Sequence, residues 1–247
     1  MSRLAPIALF ALLASPVQAF DLTKMSDAER KVFQEEVRAY LMENPQVIMD
    51  AVAVLEERNA AEQGNNDLSL VQANADAIFN DGFSWVGGNA QGDVTIVEFL
   101  DYRCGYCRKA FEDVKQLVEG DGNVRFIVKE FPILGQASLD SARFAIATKH
   151  AAGDEAYETM HDALMAYRGA TEVPALSRLA ASLGLDPAPI IAKLESPEVD
   201  DEIRQTHALA KALQINGTPT FVFGDQMIRG YVPLSAMEDI VSEQRDG

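Results

Sequence analysis

The chain of 247 residues contains two cysteines, Cys104 and Cys107, with only Gly105 and Tyr106 between them. A disulfide closing so short a loop removes little entropy from the unfolded chain, so the pair is a poor staple. Its spacing suits exchange chemistry, in which one thiolate attacks a disulfide and the second thiol resolves the mixed disulfide that results. Two other uses stay open. A copper or zinc site could use the same sulfurs, although zinc sites usually take four ligands. The chain has no second cysteine pair, and His150, His161 and His207 fall in helical segments without ligand spacing. A binding or assembly module without turnover would keep both thiols unreactive.

The elements around the pair say which thiol does what. Asp93–Leu100 is apolar and β-branched almost throughout and reads as a buried strand. Phe111, Val114, Leu117 and Val118 then share one face of a helix over 108–118, with Gly120 as its end. Cys104 therefore falls at a helix N-terminus, where unpaired N–H groups and the helix dipole favour a thiolate. That makes Cys104 the nucleophile and Cys107, one turn further in, the resolving partner. Glu98 lies six residues before Cys104, and strand alternation aims it under the helix. A carboxyl buried there without a partner has a raised pKa; the other reading is a surface glutamate on an edge strand.

Val124–Phe131 is a second β-rich run, giving a right-handed β-α-β unit with a parallel pair. From 136 to 213 the pattern is helical, with runs at Ser138–Ala152, Ala156–Tyr167, Glu172–Leu185 and Pro197–Leu213. Thr220–Phe223 returns to strand, with Met227–Tyr231 as its hairpin partner and Pro233–Gln244 as a closing helix. Pro219 opens that strand, a place where no ladder N–H is demanded.

The first 19 residues combine Arg3, an apolar run from Leu4 to Ala14 and the small-residue ending Val17-Gln18-Ala19. This reads as a secretory signal cleaved after Ala19, too short to span a bilayer. A net charge of −17 argues against nucleic acid and anionic membrane as partners. Residues 20–66 form an N-terminal helical arm: Asp27–Met42 carries Phe33, Val37, Tyr40 and Leu41 on one face, and Pro45–Gln63 carries Ile48, Val52 and Leu55. Gly64-Asn65-Asn66 breaks the second helix, and Leu68–Phe79 leads into the core at 67–247. Such sparse stripes suit a seam between subunits better than a core, so a homo-oligomer is expected.

Four pieces carry a resemblance to a known family: VEFLDYRCGYC, VRFIVKEFPILG at 124–135, the helical insertion after it, and INGTPTFVFG at 215–224. Together they resemble the DsbA family of periplasmic thiol-disulfide oxidoreductases, in particular its suppressor-of-copper-sensitivity C branch. The resemblance implies an α/β thioredoxin-like fold with a helical insertion over 136–213, preceded by an oligomerising arm. It implies no cofactor beyond the cysteines, and as partners unfolded or misoxidised secreted proteins and a membrane redox protein. Glu98 matches the family's buried acid, which implies a part in proton transfer to or from the resolving thiol. Thr218 and Pro219, through a cis bond beside the cysteines, would hold the client backbone like an added strand, with Gly105 and Tyr106 on the same surface. Strongly oxidising members carry Pro-His between the cysteines; Gly105-Tyr106 resembles the isomerase and reductase branches instead. The expected activity is disulfide isomerisation or reduction, the alternative a monomeric dithiol oxidase.

Overall fold

The computed structural model describes residues 22–246; the expected signal, residues 1–19, lies outside the described residues. The chain divides into two compact units, one ending at Arg58 and the other beginning at Asn59.

In the first unit a short 3-10 turn, Leu22–Lys24, precedes α1 (Asp27–Glu43). Helix α1 starts on a capping box: Ser26 accepts the Glu29 N–H, and the Glu29 carboxylate accepts the Ser26 N–H at 2.8 Å. Helix α2 (Gln46–Ala73) follows after Asn44 and Pro45 and carries the boundary between the units.

The expected break at Gly64-Asn65-Asn66 does not occur, because α2 runs through it. A glycine in a helix interior costs about 1 kcal/mol. Just beyond it, Asp67 takes a 2.7 Å hydrogen bond from Gln63 and an ion pair from Arg229, and Val71 is buried in the core. Those tertiary contacts outweigh the local penalty. The run expected over 68–79 is accordingly the end of α2 plus a separate α3 (Ala75–Phe79).

The second unit continues with β1 (Trp85–Gly88), β2 (Val94–Leu100), α4 (Gly105–Asp121) and β3 (Val124–Glu130). The insertion is α5 (Gln136–Ala152), α6 (Asp154–Ala166), α7 (Val173–Ser182), α8 (Pro187–Lys193) and α9 (Pro197–Ala212). Strands β4 (Thr220–Phe223) and β5 (Gln226–Arg229) and helix α10 (Leu234–Asp246) complete it. Helix α4 runs one residue past Gly120, to Asp121, and is capped by Gly122, which holds φ +69°, a left-handed value that ends a helix without Cβ penalty.

The sheet order is β1-β3-β2-β4-β5. Strands β2 and β3 are parallel, as a helical crossover requires, and the remaining neighbours are antiparallel. Alternation then builds two cores. Ile96, Leu100, Phe126, Val128 and Phe221 face α4, packing on its Ala110, Val114 and Leu117. Val97, Phe99, Ile127 and Val222 face the other way, onto Leu209 and Ala210 of α9, Val71 of α2 and Ile78 of α3. Glu98, between Val97 and Phe99 on the central strand, shares the α4 face. Among the described residues, no helix is long and apolar enough to cross a membrane.

Candidate active site

Cys104 is the N-cap residue of α4, in extended conformation, and Cys107 lies one turn inside the helix. Both are free thiols, Cys104 only 7 % exposed and Cys107 fully buried. The Cys104 thiol donates to the Thr218 carbonyl at 3.1 Å, across 114 residues of chain, and the Thr218-Pro219 bond is cis. Strand β4 is held there by its pairing with β2, where Phe99 lies opposite Thr220. Gly105 and Tyr106 open α4 on the surface, Tyr106 being 65 % exposed.

The two thiols are pushed in opposite directions. The Cys107 thiol, as donor, contributes most to holding Cys104 at about 5, and the Thr218 hydroxyl and the N–H groups of Cys107 and Tyr106 add to it against partial burial. Burial pushes Cys107 far above the ordinary thiol range, and its donation to Cys104 and the nearby Glu98 charge raise it further. Glu98 is pushed up to about 8, first by burial, then by the charges of Cys104 and Glu130. Its Oε1 is buried without a hydrogen-bond partner.

A titration follows from this. The thiolate absorbance of the reduced protein should show one step with a midpoint near 5, missing in Cys104→Ala, and no Cys107 step before the alkaline end of the range. The folded pKa of Cys104 lies below its unfolded value, so the ionised thiol contributes stability above the unfolded pKa and loses it as pH falls through about 5. Acid should therefore destabilise the reduced wild type more than Cys104→Ala. A midpoint above about 8 would mean that the helix end does not stabilise the anion.

Residues the sequence pattern does not single out position these groups. Asp101, buried, accepts the Arg103 N–H at 2.7 Å and the N–H groups of Ile133 and Leu134 at 2.8 and 3.0 Å. It ties the turn before Cys104 to the loop after β3. Arg108 donates from Nε to the Tyr102 carbonyl at 2.6 Å and from Nη2 to the Tyr167 carbonyl at 2.7 Å, fastening α4 to the insertion. Tyr102 and Tyr157 donate to Glu130 at 2.7 and 2.6 Å, and the Tyr102 hydroxyl also meets His161 Nδ1 at 3.0 Å. His161 is a buried packing residue, stacked on Trp85, with its pKa lowered by burial to about 4. An acid directly after an apolar strand was the available signal for Asp101; for Tyr102, Tyr157 and Glu130 there was none.

This arrangement has known counterparts. The model of the DSBA-like thioredoxin domain matches residues 95–242, and that of the copper resistance protein ScsC N-terminal domain matches residues 29–62. A thioredoxin-like oxidoreductase from Silicibacter pomeroyi DSS-3 is 42 % identical, with a TM-score of 0.65 over 70 % of this chain and 98 % of that one. The thiol-disulfide exchange protein alpha-DsbA2 from Wolbachia pipientis is 28 % identical, with a TM-score of 0.69 over 74 % of this chain and 97 % of that one. Proteus mirabilis ScsC in a compact conformation is 26 % identical, with a TM-score of 0.65 over 87 % of this chain and 97 % of that one. Among curated proteins, the Na(+)/H(+) antiporter NhaA 1 of Salinispora arenicola is 28 % identical over 158 residues. The chain spans about a quarter of the length of such curated relatives, 24 % in that case. With a cysteine pair at the mouth of α4, a Thr-Pro strand against it and a family model matched from β2 into α10, the chain belongs to the DSBA-like thioredoxin domain family.

Proposed function

We propose that this chain is a periplasmic protein thiol-disulfide oxidoreductase that works as an isomerase or reductase on misoxidised secreted proteins. The observation that carries the reading is a Cys104 thiol seated on the Thr218 carbonyl at the open end of α4, with the buried, protonated Cys107 behind it. The Cys104 thiolate attacks one sulfur of a client disulfide; the S–S bond breaks, the client's other sulfur leaves as thiolate, and a mixed disulfide forms. In isomerisation a second client thiolate attacks the client sulfur of that bond and expels Cys104 as thiolate. In reduction Cys107 gives its proton to Glu98 and attacks Cys104, releasing the client thiol and leaving the chain oxidised until a membrane redox partner reduces it.

Glu98 is suited to that timing. While Cys104 is a thiolate, its charge helps keep Glu98 protonated. Once Cys104 is bound in a mixed disulfide the charge is gone, so Glu98 loses its proton more readily and can accept the one from Cys107. The client backbone lies along Thr218 and Pro219, and exposed Tyr106 and Leu134, with Gly105 between Tyr106 and Cys104, offer apolar surface for unfolded segments.

The arm serves self-association. Helix α1 has no buried residue, and Phe33, Val37, Tyr40, Ile48, Val52 and Leu55 are all exposed. Burying side chains of this size in a seam contributes about 1.5–3 kcal/mol each, which favours an oligomer over bare stripes. The match to the ScsC N-terminal domain over 29–62 supports the same assignment. In an oligomer several Cys104 sites surround one client. The variant Phe33→Asp/Ile48→Asp/Leu55→Asp, changed only at exposed positions, should scatter light as a monomer. It should keep exchange with glutathione disulfide and lose most reactivation of a scrambled-disulfide protein. A wild type that is already monomeric at micromolar concentration would turn the reading to a DsbA-type oxidase.

A further inference from the structure

A cavity of about 430 Å³ lies under α4, between that helix, α6 and the β1-β3-β2 side of the sheet. Its volume falls within the range of small-molecule sites, about 300–1,000 Å³. The walls are apolar: Trp85 and Phe126 from the sheet, Phe111, Val114 and Val118 from α4. At its inner end stands Glu98, 2 % exposed, with Oε1 buried and unpartnered. The mouth carries exposed Glu119, Asp154, Glu155 and Glu158, together with Asp162. Lys115, the lining lysine, is already engaged by Asp162 at 2.7 Å. His161 on the wall donates no charge there, being buried and stacked on Trp85.

We propose that this cavity binds a small organic cation with an apolar body, an aryl- or alkylammonium ion. The body lies against Trp85 and the α4 valines, and the ammonium is held by Glu98 or by the carboxylates at the mouth. A buried carboxyl oxygen without a donor lacks what an N–H group supplies, and Trp85 and Phe126 give the body an apolar wall. An anion of the same shape meets a ring of like charge, so discrimination by sign is the mark of the site. The site shares Glu98 with the exchange reaction and uses neither cysteine.

Trp85 is the chain's one tryptophan, so its emission reports occupancy directly. The reduced full chain should show a saturable emission change with phenethylammonium, none with hydrocinnamate, and binding about tenfold weaker with phenethyl alcohol. Cys104→Ala, which removes the thiolate charge that helps keep Glu98 protonated, should bind phenethylammonium no more weakly than the wild type, which separates this site from the exchange reaction. Val118→Phe, which narrows the cavity, should remove binding, and both Glu98→Gln and the surface variant Glu155→Gln/Glu158→Gln should weaken it, Glu98→Gln by about tenfold. Three results would each overturn the proposal: no saturation up to roughly 10 mM, equal binding of all three probes, or an affinity indifferent to both carboxamide variants.

Discussion

Cys104→Ala is expected to abolish thiol-disulfide exchange, by about a thousandfold or more, down to the uncatalysed rate. The size of the loss rests on the absence of a substitute nucleophile. Cys107 is fully buried and its thiol is pushed far above the ordinary range, so in the variant no reactive sulfur faces the client. The low pKa of Cys104 acts less on attack than on departure. At about 5, against about 8.5 for a free cysteine, the thiolate fraction at neutral pH rises roughly thirtyfold, while the lower basicity costs nucleophilicity by about the same factor. What remains is the leaving-group advantage. A mixed disulfide opens fastest toward the sulfur of lower pKa, and that sulfur is Cys104. Cys107→Ala should behave differently, attacking clients normally and accumulating as a mixed disulfide. Turnover of a disulfide client under dithiothreitol distinguishes the two; exchange by Cys104→Ala within tenfold of wild type would remove Cys104 from the centre of the mechanism.

How much of this was legible in the sequence depended on how local each signal is. The strand over 220–223 and the helix over 27–43 match the reading almost to the residue, because a short apolar run opened by Pro219 and an apolar stripe stopped by Asn44-Pro45 mark them locally. Glu98 was readable because strand alternation needs only neighbouring residues, and the structure places it on the α4 face. Strand β1 was not read at all: two of its four residues are glycine, and it is a strand only because β3 pairs with it. Helix α8 is seven residues long, yet Asp186 capping it at the Ala188 N–H and Pro187 at its first position were signals in plain view. The end of α4 was misplaced by two residues because Gly120 and Gly122 look alike in sequence, and only Gly122 takes the left-handed conformation. The Glu130 network and the cavity under α4 join residues from β1, α4, α6 and β3, so no window of sequence contains them.

The largest loss of stability from a single surface-loop change is expected at Asp81, a residue with no part in the chemistry. Lys129, on β3, is 1 % exposed, and its ammonium is met by Asp81 at 2.5 Å and by the Ala77 carbonyl at 3.0 Å. Burial pushes the Lys129 pKa down, with Asp81 opposing it. Burial also works against the Asp81 charge, but the hydrogen bond and charge of Lys129, with Ser84, hold that carboxyl below its usual range. Asp81→Ala would leave a buried ammonium with one carbonyl oxygen and would strip the acceptor from the N–H groups of Phe83 and Ser84, at 3.1 and 3.0 Å, on the approach to β1. Breaking a buried pair from one side costs about 3–5 kcal/mol, because the remaining charge is uncompensated. Replacing both partners removes that charge, so Asp81→Ala/Lys129→Met should recover most of the loss. The exposed Arg245–Asp93 pair, where solvent can replace either partner, should by contrast be nearly silent when Asp93 is changed. Denaturant midpoints of these variants decide the matter. A single variant within about 1 kcal/mol of wild type, or a double variant no better than the single, would show that Lys129 finds water or another partner when Asp81 is gone.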